Sequence, residues 1–381
     1  MGFNSLQMRE GMKILKRRMQ TKEHHRYQGT VRDILHKIVR NNWNGTFFCA
    51  SNGHFHVFYM RDFGLALEGL LHMGYRREVA ATLENTLKIY AKHNRLTTTI
   101  TDQHIPVDMF EPACDTLPFL LRSLRKTRST YLLKTYFEFL NDQINKYYKD
   151  VFDPKKEVVY EKKSFSSMRD HYKRKSSMYD NACMAMLADE IVKLKDLHIR
   201  FDNPFMKWNH RKVLRDRFWV GSHFLDDISA HHYLATDANT IPYYFDLFND
   251  KDMMESSMNF IISQGLDGPI PAKYTKDPIK EKENPILNFL APNYEGNTCW
   301  TNVGMLFLQL VEKVNRILLK KYIDRYIELI EEHQNFLEVF TPEGKPYKTR
   351  FYMYDEGMLW CSVFYLMLDR YYSAVPSFKF K

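Results

Sequence analysis

Met60-Arg61-Asp62-Phe63-Gly64 opens a helical run that stays apolar on most faces to Met73 and is closed by Gly74, the residue that suits a helix C′ position. A long polar loop precedes this opening, and a very short connection leads on to an amphipathic run at 76–93. The same figure returns five times, at Cys114-Asp115-Thr116-Leu117, Met178-Tyr179-Asp180-Asn181, Thr236-Asp237-Ala238-Asn239-Thr240, Cys299-Trp300-Thr301-Asn302 and Tyr354-Asp355-Glu356-Gly357. The openings fall roughly 50 to 65 residues apart, as repeated helical hairpins do. A helix apolar nearly all round is buried, whereas one with a single apolar stripe lies at the surface. The pattern therefore predicts an all-α toroid of six hairpins, an (α/α)6 arrangement with helices over 30–42, 61–73, 76–93, 115–125, 129–149, 179–195, 203–216, 238–249, 251–264, 300–315, 317–333 and 354–372. The second of these and every alternate one after it form the inner ring. Every long loop precedes an inner helix, so all six loops share one rim, and loops of that length inside a compact domain mark function.

Nothing interrupts the alternation, so residues 26–381 are read as one domain and residues 1–25 as a basic N-terminal extension. The 381 residues are 44% hydrophobic and 15% aromatic, ample for a large core, and the 15 Gly and 14 Pro are too few for a fibrous or disordered chain. The formal charge of +9 raises the question of nucleic acid. Lys and Arg are interleaved with Asp and Glu along the whole length, without the compact cluster that tracks phosphates, and no nucleic-acid partner is expected. One concentration, Arg169, His171, Lys173, Arg174 and Lys175, is read as a solvated loop, with an anion site as the alternative. Five cysteines without metal-type spacing read as buried free thiols in a reducing compartment. With no apolar signal segment and no run of membrane-spanning length, the expected location is the cytoplasm, away from membranes. Asn44-Gly45-Thr46 fits a glycosylation triplet but lacks a secretory route.

Asp62, Asp115, Asp180, Asp237 and Asp355 each stand where a helix N-terminus favours an acidic cap. Taken together they suggest more. Carboxylates and amides bond vicinal hydroxyls, and Trp or Tyr faces stack on sugar rings, so a ring of Asp, Asn, Arg and Trp suits a polyhydroxylated ligand. Trp300, Asn302 and Trp360 divide between sugar stacking and core. His54, His56, His223, His231 and His232 form no recognised ligand spacing, and no metal is expected. No phosphate-cradling glycine loop or nucleophile elbow occurs, and no cofactor is expected.

Four stretches carry a family likeness: Tyr59-Met60-Arg61-Asp62 with Leu65 and Gly69-Leu70; Asp115-Thr116-Leu117-Pro118-Phe119-Leu120; Ser167-Met168-Arg169-Asp170 with Tyr179-Asp180-Asn181-Ala182; and Asn335-Phe336-Leu337-Glu338-Val339-Phe340-Thr341-Pro342-Glu343-Gly344-Lys345-Pro346. In this order the chain resembles the six-hairpin glycosidases, the group of glucoamylases, trehalases, glucosidase-I-like enzymes and the glucosidase domain of glycogen debranching enzyme, over about residues 28–372. The resemblance implies an inverting glycoside hydrolase acting on the end of an α-linked glucoside or short oligosaccharide. It implies Asp170 as general acid, Glu338 as general base, and Arg61 and Asp62 as ligands of the terminal sugar. From their own places at the helix openings Asp115, Asp180, Trp300, Asn302 and Glu356 are also assigned to substrate, and Glu356, at the start of the last inner helix, is the rival for the base role. The family usually has Trp where Met168 stands. Cleavage of a glycosidic bond needs one protonated and one ionised carboxyl group, and loops on opposite sides of one rim suit that pair. A phosphorylase or epimerase on the same barrel, and a non-catalytic sugar-binding toroid, are the alternatives.

Overall fold

The computed structural model describes residues 5–109, 111–229 and 233–373, with side chains from Met8 onward. His231 and His232 lie outside the described residues. Fifteen α-helices occur among those described. The inner ring is α3 (Met60–His72), α5 (Thr116–Lys126), α8 (Met178–Lys193), α10 (Ile241–Tyr244), α13 (Thr301–Val314) and α15 (Cys361–Ser373). Each packs on the next, and α15 returns to α3, so the ring closes. The outer ring is α2 (Val31–Asn42), α4 (Arg76–His93), α6 (Thr130–Thr135) with α7 (Phe137–Val151), α9 (His210–Phe218), α11 (Lys251–Ser263) and α14 (Arg316–His333). Two further helices, α1 (Ser5–Gln20) and α12 (Pro285–Leu290), belong to neither ring. The protein is an (α/α)6 toroid, as the hairpin rhythm predicts.

Local chemistry explains most boundaries. Thr30 and Asp33 form a reciprocal capping box that starts α2. Gly74 ends α3 at φ +92°, with Tyr75 N–H bonded to Leu70 O and Gly74 N–H to Leu71 O, a Schellman closure. The inner helices approach closely through glycine. A Cβ on Gly69 would sit 2.3 Å from the backbone of Ser362 in α15, so α3 and α15 touch main chain to main chain there. Short strands aim the loops at the inner helices: β1 (Phe58–Tyr59), β2 (Thr99–Ile100) and β3 (Pro106–Val107) form one antiparallel sheet, β4 (Phe152–Asp153) pairs β5 (Val158–Val159), and β6 (Cys299–Trp300) pairs β7 (Val339–Phe340).

Several boundaries depart from expectation. The fourth inner helix, expected over 238–249, is a single α-helical turn, α10, because Pro242 has no N–H to donate to Ala238 and so bars an earlier start, and Asp246 takes φ +57°. The last inner helix begins at Cys361 rather than Tyr354; residues 354–360 are spent on side-chain and backbone bonds to loops across the rim. The run 129–149 is broken at Tyr136, and 203–216 is helical only from His210, where Asn209 caps it. Within the N-terminal extension, α1 lies against the rim. Its Arg9 and Lys13 reach Asp102 on one side, at 2.8 and 3.4 Å, and its Arg17 and Arg18 reach Glu356 Oε1 and Thr349 O on the other, at 2.6 and 2.7 Å.

The five cysteines are buried free thiols. Each belongs to a different hairpin: Cys49 ahead of α3, Cys114 ahead of α5, Cys183 within α8, Cys299 in β6 and Cys361 at the start of α15. No helix of the described residues is long and apolar enough to cross a membrane.

Candidate active site

The rim loops and α1 enclose a cavity of about 510 Å³. Tyr59, Arg61 and Asp62 enter it from the β1–α3 junction, Asp170 and His171 from the loop before α8, and Tyr294, Glu295, Trp300 and Asn302 from the loop before α13 and its first turn. Glu338 and Tyr352 enter from the loop before α15, with Trp360 in the wall. Pairing of Trp300 with Val339 in the β6–β7 ladder holds Glu338 beside the opening of α13, where Thr301 N–H bonds its carbonyl at 3.1 Å.

On the first side of the cavity, Arg61 organises a charged cluster. Its Nε donates to Asp115 Oδ2 at 2.5 Å, its Nη2 to Ser166 Oγ at 3.2 Å, and its Nη1 lies 3.8 Å from Asp170 Oδ2. A parallel bridge between Ala113 and Ser166 ties the two loops that supply these partners. Ser167 N–H donates to Asp170 Oδ1 at 2.9 Å. Burial nevertheless pushes the Asp170 carboxyl above its ordinary range, against the pull of Arg61. Asp62 stands in the first turn of α3, where burial pushes its carboxyl up to about 6, again against Arg61.

Glu295 is the carboxyl that the sequence reading missed. Its Oε2 accepts from His171 N–H at 2.6 Å, and burial followed by the charge of Asp170 pushes it up to about 8. Two buried carboxyl groups that repel each other keep a proton between them. The available signal was an acid in Tyr294-Glu295-Gly296 just before the aromatic opening of α13, hidden at the end of the longest loop. His171, half-buried beside Tyr294 with ring centroids 5.0 Å apart, is held neutral by desolvation, down at about 3.

Glu338, also lining the cavity, is bonded through both oxygens. Tyr294 Oη donates to Oε1 at 2.5 Å, while Tyr352 Oη and Asp355 N–H donate to Oε2 at 2.7 and 2.8 Å. Burial and then the adjacent Asp355 charge push it up to about 8, and the three donors pull it down. The arrangement gives one cavity lined by both the Asp170–Glu295 pair and the hydrogen-bonded Glu338.

Three expected substrate residues do not reach the cavity. Asp115 is spent behind Arg61 and accepts also from Tyr179 Oη at 2.7 Å; Asp180 accepts from the Cys114 thiol at 3.0 Å while Ser177 caps α8. Glu356 faces α1, bonded to Arg17, His25 N–H and Asn335, so it is not placed to rival Glu338. The basic loop is not uniformly solvated either. Arg169 and Arg174 are internal, Arg174 bridging Asp226 and Asp237 at 3.1 and 3.0 Å and Arg169 lying over the Tyr172 ring at 3.8 Å. Lys173 and Lys175 are exposed and do not line the cavity. Among the described residues no group of three or more metal-ligating side chains occurs.

No family model matches this chain, and no curated protein matches it in sequence. Solved structures do match in shape. A wild-type glycosidase superposes with TM-score 0.64 at 12% identity, covering 98% of this chain and 100% of its own. A glycosidase variant in complex with glucose gives 0.63 at the same identity and coverage. The GH63 mannosylglycerate hydrolase from Thermus thermophilus, in complex with Tris and D-glycerate, gives 0.61 at 13% identity, covering 90% of this chain and 100% of its own. At such identities the likeness is one of fold.

Proposed function

We propose that the chain, sharing its fold with these glycosidases, is an inverting glycoside hydrolase acting on the end of an α-linked glucoside or short oligosaccharide. The observation that carries the reading is the cavity itself, with Asp170 and Glu338 on walls supplied by different loops and Arg61 and Asp62 beside them. In this reading Asp170 protonates the leaving oxygen and Glu338 takes a proton from the attacking water. Glu295 positions the acid by keeping the shared proton available. Tyr294 and Tyr352 aim Glu338, Asp62 and Asn302 bond sugar hydroxyls, and Trp300 stacks on the ring. No cofactor or metal takes part. The catalytic domain is residues 26–381, its cavity completed by α1 of the N-terminal extension, and five unpaired thiols fit action in the cytoplasm.

The test is paired substitution. Asp170→Asn and Glu338→Gln are each expected to lower kcat by at least about 100-fold on a cleavable α-glucoside, with the helical fold retained by circular dichroism. Wild-type turnover in either variant removes that residue from the mechanism. Proton NMR of the first-formed sugar decides stereochemistry, since retention excludes the single-displacement geometry. Phosphorolysis would need a cation for phosphate. Of the described lining residues only Arg61 is a permanent cation, and it is already paired. The products are therefore expected to be the same with and without added phosphate. The same pairing disfavours a carboxylate-bearing leaving group such as the glycerate bound by the mannosylglycerate hydrolase.

A further inference from the structure

We infer that α1, α12 and Phe351 form a leaving-group subsite for an apolar aglycone, so that the substrate is a neutral sugar carrying an alkyl or aryl group. This rests on the glycosidase reading above and names its substrate class. Position comes first. The general acid faces the leaving oxygen, so the leaving group lies on the side of the Asp170 loop. That loop is joined to the segment carrying α12: Lys173 N–H bonds Lys282 O at 2.7 Å and Asn284 N–H bonds His171 O at 2.7 Å. Asn284 then caps α12. From α12 the wall continues through Thr349, which bonds Leu290 O at 3.2 Å and accepts from Arg18 of α1 through its own carbonyl.

Composition comes second. The side chains this wall turns to the cavity are Met8, Met12, Leu15, Leu287, Leu290 and Phe351. None offers a polar partner for a second sugar's hydroxyls, and leaving such hydroxyls unbonded on burial is costly. Among the described lining residues no unpaired cation meets a carboxylate or phosphate, because Arg61 is engaged and His171 is neutral. Met8, Met12 and Leu290 are 55%, 61% and 38% exposed although they line the cavity, so they mark its open end. Phe289, 70% exposed, lies with its ring centroid 5.6 Å from that of Phe351 and extends the apolar surface outward. An apolar group leaving the catalytic centre along this wall gains burial at every step.

The test is a chain-length series of methyl, butyl and octyl α-D-glucopyranosides, each below its micelle threshold, measured by calorimetry and by kcat/KM with glucose as competitor. Affinity is expected to rise about threefold per methylene over the first carbons, with a negative heat-capacity change. Glucose is expected to displace all three ligands. The double variant Met12→Ser, Leu290→Ser, at exposed positions the fold tolerates, is expected to flatten the series. Equal affinity along the series, octyl binding that glucose does not displace, or an unchanged slope in the double variant overturns the subsite. Failure of the underlying enzyme reading looks different: affinity rises with chain length while none of the glycosides is cleaved.

Discussion

At Glu338 three donors favour the ionised form and burial opposes it. With Glu338 at about 8 and the Glu295–Asp170 pair keeping a proton to about 8, kcat/KM is expected to peak near pH 8 rather than near pH 5. It should rise as Glu338 ionises and fall as the pair loses its proton. Glu295→Gln removes the carboxyl that keeps its proton to about 8, so the descending limb is set by Asp170 alone and should move to lower pH. An unmoved limb sinks the coupling. Stability carries a second signature. A carboxyl raised from its unfolded value to about 8 makes the folded state bind more protons across that window, so folding stability falls as pH rises through it. Glu338→Gln abolishes this loss, and its thermal midpoint relative to wild type should climb between pH 4.5 and 8. At this scale the sequence was legible where a residue sits in a motif, as with Arg61, Asp170 and Glu338. It was not legible where the partner is remote: Arg169 and Arg174 read as solvated because Asp226, Asp237 and Glu295 come from later loops.

Elements were legible where amphipathic period and capping agree. The Schellman closure at Gly74 and the all-round apolar face of α8 are both plain in the residues. The short α10 was not, since the apolar run through Pro242 extends over a longer stretch and the positive φ of Asp246 leaves no mark in the residues. Helix α1 was there to be seen, with Met8, Met12 and Leu15 on one face and Arg9, Lys13 and Arg17 on another, but its meaning depends on Asp102 and Glu356, nearly a hundred and over three hundred residues away. Close packing between α3 and α15 makes its own prediction. Gly69→Ala improves helix propensity but forces a methyl group onto the Ser362 backbone, and a net loss of about 1–3 kcal/mol is expected by urea denaturation. Unchanged stability would mean that the two helices separate at little cost.

For the molecule as a whole, closure is the main fact. The chain returns through α15 to the first inner helix, so no hairpin has a free flank and each inner helix is braced by two neighbours. Unfolding is therefore expected to be one cooperative event. Far-ultraviolet circular dichroism and the fluorescence of Trp43, Trp208, Trp219, Trp300 and Trp360, which are spread around the ring, should report coincident urea transitions. Well-separated transitions would show that some hairpins melt alone.

The buried thiols turn that closed ring into something that can be read sector by sector. A thiol reagent reaches such a sulfur only when its surroundings open, so the labelling rate of each cysteine times the breathing of the hairpin that holds it. Cys49, Cys114, Cys183, Cys299 and Cys361 report five of the six sectors, and only the α10 sector is silent. Peptide mass spectrometry after a timed alkylation would thus chart the opening of the toroid with reporters the chain already carries. Adding a glucoside before the pulse would show which sectors the ligand clamps shut.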